Sequence, residues 1–122
     1  LGKKNTLIKD SRILLMGFSF KENCSDIRNT KINELVKLIK MNQGHYDIYD
    51  PLVNIHEVKK IYNLEILNSL DESIKYDAVI ILLAHNHFIK MKIKDWKKLI
   101  KKNGIFFDFK NILHASLDPL EI

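Results

Sequence analysis

Two uninterrupted apolar runs, Arg12–Gly17 (RILLMG) and Ala78–Ala84 (AVIILLA), limit the folds open to this chain more than any other feature. A strand with one face in water alternates apolar and polar residues, whereas a strand apolar at nearly every position needs cover on both faces. Both runs fall far short of the roughly 20 apolar residues that a membrane-spanning helix requires, so no membrane partner is expected. His45–Asp50 (HYDIYD) alternates, and Ile105–Asp108 (IFFD) reads as a short aromatic strand.

Helical patterns separate these strands. Ile32, Leu35, Val36 and Ile39 mark one face of a helix from about Thr30 to Asn42, with Gly44 placed to end it. Ile55, Val58 and Ile61 mark a second, with Asn54 as its cap and Pro51 just before. Ile93, Trp96 and Ile100 mark a third, closed by Lys102–Gly104, and Leu64–Leu67 (LEIL) admits an extra strand. Strands and helices in this order imply a mainly parallel sheet with right-handed crossovers: a doubly wound, Rossmann-like α/β domain of three layers. It is placed at residues 12–122, and residues 1–11 read as a linker or the end of a preceding helix. The chain opens on Leu1 rather than Met, which suggests a piece of a larger protein.

Lys and Arg number 20 against 15 Asp and Glu, a net charge of +5 that favours an anionic partner, nucleotide as readily as nucleic acid. The lysines are spread along the chain and interleaved with apolar residues at helical spacing, the pattern of solvated helix faces, so no nucleic-acid partner is expected. Cys24 is the single cysteine, which excludes an intramolecular disulfide and a Cys-rich zinc site. It fits a reducing compartment, and with no signal peptide visible a cytoplasmic location is expected.

In a doubly wound sheet, ligands bind beyond the carboxyl ends of the strands at the point where strand order reverses. Three loops reach that edge, after Gly17, Ala84 and Asp108. The first fails the G-x-G-x-x-G fingerprint, because position 19 is Ser and position 22 is Glu, and no Walker A loop is present. Lys21 can replace the missing glycines as a point charge for phosphate, although composition alone favours a merely exposed lysine. Asp26 either caps the loop or holds Arg28, whose planar fork suits phosphate or carboxylate. Cys24 has no base beside it in sequence, so a semi-buried side chain is preferred to a nucleophile. His85 and His87 in the second loop lack the acidic companions of a metal site, and loop polarity or capping by Asn86 is the preferred reading. Asp50 ends its strand where a ribose-binding acid would stand, but Pro51 follows and favours a turn-stabilising role. Lys110 brings a second cation to the same edge.

Gly17–Lys31 (GFSFKENCSDIRNTK), followed by YDIYDP and YDAVIILLAH, resembles the C-terminal domain of the UDP-glucose/GDP-mannose dehydrogenase family, over about Ser11 to Leu113. The F-K-x-x-x-x-D-x-R pattern after a strand glycine carries most of the likeness, and its wording is most similar to bacterial UDP-N-acetylhexosamine 6-dehydrogenases. The resemblance implies an enzyme that oxidises a sugar C6 alcohol to a carboxylate with NAD, for surface polysaccharide synthesis. It implies a Rossmann domain for NAD and a central helical region, both N-terminal to this segment, with assembly as a homodimer or higher. Phe20, Lys21 and Lys110 match positions on the UDP-sugar. Arg28 matches an arginine that reaches the NAD of the other domain. Lys110 stands where the family often has Arg, keeping the charge without the bidentate fork. No catalytic residue and no metal ligand is expected in this segment, and the segment alone is expected to be inactive. The alternative is a stand-alone regulatory nucleotide-binding module on the same fold.

Overall fold

In the computed structural model, which describes residues 9–28 and 31–121, the first apolar run forms β1 (Arg12–Met16) and supplies both faces of the sheet. Ile13 and Leu15 join one buried cluster while Leu14 and Met16 join another. The second run behaves alike in β4 (Tyr76–Ile81): Val79 and Ile81 lie in the second cluster, and Ala78 and Ile80 pack against the first. This is why neither run alternates.

Between them come α1 (Lys31–Met41), β2 (His45–Tyr49), α2 (Ile55–Tyr62) and the two-residue β3 (Ile66–Leu67). After β4 follow α3 (Asn86–Ile89), α4 (Ile93–Lys98), β5 (Ile100–Asp108), a single 3₁₀ turn at Ala115–Leu117 and β6 (Leu120–Glu121). The sheet order is β3-β2-β1-β4-β5-β6, every pairing parallel. Ile32, Val36 and Ile39 of α1 and Val58 of α2 seal one face; Phe88 of α3 and Trp96 of α4 seal the other. The expected doubly wound, three-layer α/β fold is what forms, and the extra strand at Leu64–Leu67 is real but short.

Three local expectations need correction. Ile100 is not helical: α4 ends at Lys98, and β5 already runs through Lys102–Gly104, pairing Ile100 with Tyr76 before a register shift. The helical spacing of Ile93, Trp96 and Ile100 continued by chance into a strand. Secondly, α1 closes in a Schellman arrangement with Gln43, not Gly44, in the left-handed conformation (φ 61°). Gly44 N–H donates to Ile39 C=O at 2.9 Å and Gln43 N–H to Lys40 C=O at 3.1 Å. Thirdly, Asn86 does not cap α3 but is its first residue, and its N–H donates to Asn23 Oδ1 at 2.7 Å. Asn54 does cap α2, accepting from His56 N–H and Glu57 N–H. Thr30 and residues 1–8 of the expected linker lie outside the described residues, and residues 9 and 10 form a turn.

Candidate functional site

The chain runs outward from β1 to β2 and β3, then returns to β4 on the opposite side of β1. Order therefore reverses between the carboxyl ends of β1 and β4, and a doubly wound fold places its ligand there. Gly17 opens the loop after β1 at φ +107°, a conformation that disfavours any side chain. A Cβ there would also stand 2.8 Å from Leu83 Cβ, so the glycine serves close approach to the chain leaving β4.

In dinucleotide-binding folds the backbone N–H groups of this turn receive the pyrophosphate. Here those of Phe18 and Ser19 donate to Asp50 Oδ2 at 2.8 and 3.0 Å, and all three residues are buried. The turn's donors are taken up by the chain's own carboxylate, so NAD does not fit this turn. Asp50 also accepts from Leu52 N–H through Oδ1 at 2.9 Å, the turn role expected for it. Burial pushes the Asp50 carboxyl up, but the hydrogen bonds from His85 and from the N–H groups of Phe18, Leu52 and Ser19 outweigh this and hold it below the ordinary value.

His85 Nε2 lies 3.0 Å from Asp50 Oδ2 and 3.4 Å from Ser19 Oγ, and Asn23 N–H donates to His85 Nδ1 at 2.9 Å. His87 instead meets the Tyr49 hydroxyl at 3.0 Å. The two histidines do not converge, and among the described residues no cluster of three His, Cys, Asp or Glu is placed to hold a metal.

An open cleft of about 510 Å³ lies beside this buried cluster. Phe20, Arg28, Leu35 and Lys110 are among its lining residues, and among the described residues its charges are Arg28, Lys31 and Lys110 against the carboxylate of Glu22. Such a wall suits an anion with an apolar body. Arg28 grips Asp26, with Nε 2.9 Å and a terminal nitrogen 2.6 Å from Oδ2, and its guanidinium sits 5.7 Å from the centre of the exposed Phe20 ring. Arg28 thereby holds the Asp26 carboxyl below its ordinary value.

Lys110 arrives from the loop after β5, where Asp108 accepts from Lys110 N–H and Leu113 N–H at 3.1 and 2.9 Å. Its ammonium pairs with Glu22 Oε1 at 3.2 Å. Burial raises the Glu22 carboxyl, and the hydrogen bond and charge of Lys110 bring it below the ordinary value. Arg28 and Lys110 thus each stand paired with a carboxylate.

Phe20, Arg28 and Lys110 converge on one cleft, whereas Lys21 is exposed on the same loop and does not line it. Cys24 is half-buried, its Sγ accepting from Asp26 N–H at 3.2 Å. Sequence reasoning missed the counter-ion role of Glu22 and the burial of His85. The signal for His85 was its place directly after an apolar strand that leaves it no route to water. A larger hollow of about 880 Å³, lined by Asp10, Arg12, Asp47 and Lys101 among others, lies at the amino ends of the strands. Several of its charges are held in ion pairs, Arg12 with Asp47 at 3.1 Å and Lys101 with Asp77 at 3.2 Å, and it lies at the end of the sheet opposite the switch point.

The fold and the cleft at its switch point define a doubly wound α/β domain whose dinucleotide turn is closed by its own carboxylate. Residues 14–115 match the profile of the UDP-glucose/GDP-mannose dehydrogenase family, UDP binding domain, and the chain belongs to this family. It is 36% identical over 120 residues to a UDP-N-acetyl-D-glucosamine 6-dehydrogenase of Salmonella typhi and 30% identical to one of Pseudomonas aeruginosa. Each match takes in 98% of this chain but 28% of the relative's length. A crystal structure of an NDP-N-acetyl-D-galactosaminuronic acid dehydrogenase from Methanosarcina mazei shares the fold, with a TM-score of 0.76, 23% identity and coverage of 96% of this chain and 24% of that one.

Proposed function

We propose that this chain is the nucleotide-sugar-binding domain, residues 12–122 after a linker, of an NAD-dependent UDP-sugar 6-dehydrogenase. The complete enzyme oxidises the C6 alcohol of a UDP-N-acetylhexosamine to a carboxylate in the cytoplasm, for surface polysaccharide synthesis, as a homodimer or larger assembly. The observation that carries the reading is the meeting of Phe20, Arg28 and Lys110 in one cleft at the switch point of a chain that belongs to this family. Phe20 covers the apolar body of the ligand, and Lys21 and Lys110 supply charge for its phosphates. Arg28 reaches NAD presented by another domain of the same enzyme. That the closed turn after β1 has no donors to spare supports placing the cofactor elsewhere. Membership of the dehydrogenase family's UDP binding domain favours a domain of an enzyme over a stand-alone regulatory module.

The test is steady-state kinetics of the complete protein with NAD and a panel of UDP- and GDP-sugars. Two NADH per UDP-N-acetylhexosamine are expected, with little turnover of GDP-mannose. No NADH from any UDP-sugar would overturn the assignment.

A further inference from the structure

His85 and Asp50 are both fully buried, yet neither touches the cleft. What they hold is the loop that supplies it. Asn23 N–H donates to His85 Nδ1, so that nitrogen bears its lone pair and the ring proton sits on Nε2, facing the Asp50 carboxylate. Asn23 itself is at φ 56° in the middle of the loop, and its Oδ1 accepts from Asn86 N–H at the start of α3. On the near side the same Asp50 oxygen holds Phe18 and Ser19 N–H, and Phe20 N–H donates to Asp26 C=O across the loop. One imidazole therefore ties three chain segments together: the end of β2, the loop after β1 and the start of α3.

We infer that His85, as the neutral Nε2–H imidazole, is the positioning residue of the ligand loop, fixing where Phe20 and Arg28 meet an anionic ligand. Its link to substrate rests on the proposed function; its link to the loop does not. Removing either ring nitrogen's bond has a distinct consequence. In His85→Asn a carboxamide oxygen can take the place of Nδ1 and keep Asn23, while the donor to Asp50 is lost. In His85→Gln the amide nitrogen can take the place of Nε2 and keep Asp50, while Asn23 N–H is abandoned.

The experiment has two arms. In the first, nitrogen-15 NMR of the unaltered chain at neutral pH should show Nε2 protonated, with a coupling across the Asn23 N–H···Nδ1 bond. An Nδ1–H tautomer or an imidazolium overturns the inference with no variant involved. In the second, the two variants of the complete enzyme are compared by amide exchange and kinetics. Expected is faster exchange at Asn23 and a KM for UDP-sugar raised roughly two- to tenfold in His85→Gln, with kcat little changed. His85→Asn, which keeps Asn23, should raise KM less than His85→Gln at a comparable fall in melting temperature. Equal KM in both variants, or both raised in step with lost stability, makes His85 a packing residue and overturns the inference. An unaltered enzyme that turns over no UDP-sugar refutes the proposed function instead, and leaves the NMR and exchange results to decide the loop.

Discussion

Asp50, itself fully buried, accepts from three backbone N–H groups and one imidazole. Asp50→Asn puts an NH₂ group where one carboxylate oxygen accepted, leaving buried donors facing a donor. A hydrogen bond to a charged group is worth about 1.5–3 kcal/mol, and a loss of at least that size is expected in urea unfolding. An unchanged midpoint would show that the turn repacks around the amide. Lys21 is a contrast, being exposed. Lys21→Ala in the complete enzyme should lower kcat/KM for UDP-sugar on the order of ten- to a hundredfold while the melting temperature stays put. Unaltered kinetics would remove it from the ligand, the result its place outside the cleft makes worth seeking. Cys24→Ser should be tolerated, since the sulfur accepts only a loop N–H.

Among the elements, α2 shows how local sequence and packing divide the work. Its Asn54 cap answers two N–H groups, and its Tyr62 hydroxyl donates to Ile27 C=O at 2.6 Å, tying the helix to the ligand loop. Asn54→Ala should cost about 1 kcal/mol by urea denaturation and leave the cleft's chemistry alone. Gly17→Ala should do more, because strain at φ +107° adds to contact with Leu83. A soluble, equally stable Gly17→Ala would contradict the close approach of the two strand ends. β5 is the element least legible beforehand. Its first residues carry a lysine-rich, helix-like pattern, and only pairing with Tyr76 turns them into strand.

Over the whole molecule, buried and paired carboxylates set the acid limit. Asp50 and Asp77 each titrate below the ordinary value near 3.8 in the folded chain: burial raises both, and it is outweighed at Asp50 by hydrogen bonds from His85 and backbone N–H groups and at Asp77 by those from Arg12 N–H and Lys101. A group so depressed contributes its full stability above the unfolded value and loses it as pH falls through the folded one. Urea midpoints should therefore be flat in these groups above about pH 5 and decline below about pH 4; a decline beginning near neutrality would point to a histidine instead. Under the proposed function, the chain by itself offers one wall of a site and, with its dinucleotide turn closed, should bind UDP weakly and produce no NADH. Tight binding by calorimetry would refute the half-site reading. The alternation of apolar runs and helical faces determined the layered parallel fold by itself, since burial on both faces leaves a strand no polar positions. The glycine, aromatic and cations of one loop likewise marked the edge that carries the candidate cleft. Only the tertiary structure decided that Asp50 and His85 close the turn, that Glu22 guards Lys110 and that Lys21 stands outside. Those outcomes depend on contacts between residues 31 to 88 positions apart, which no local pattern encodes.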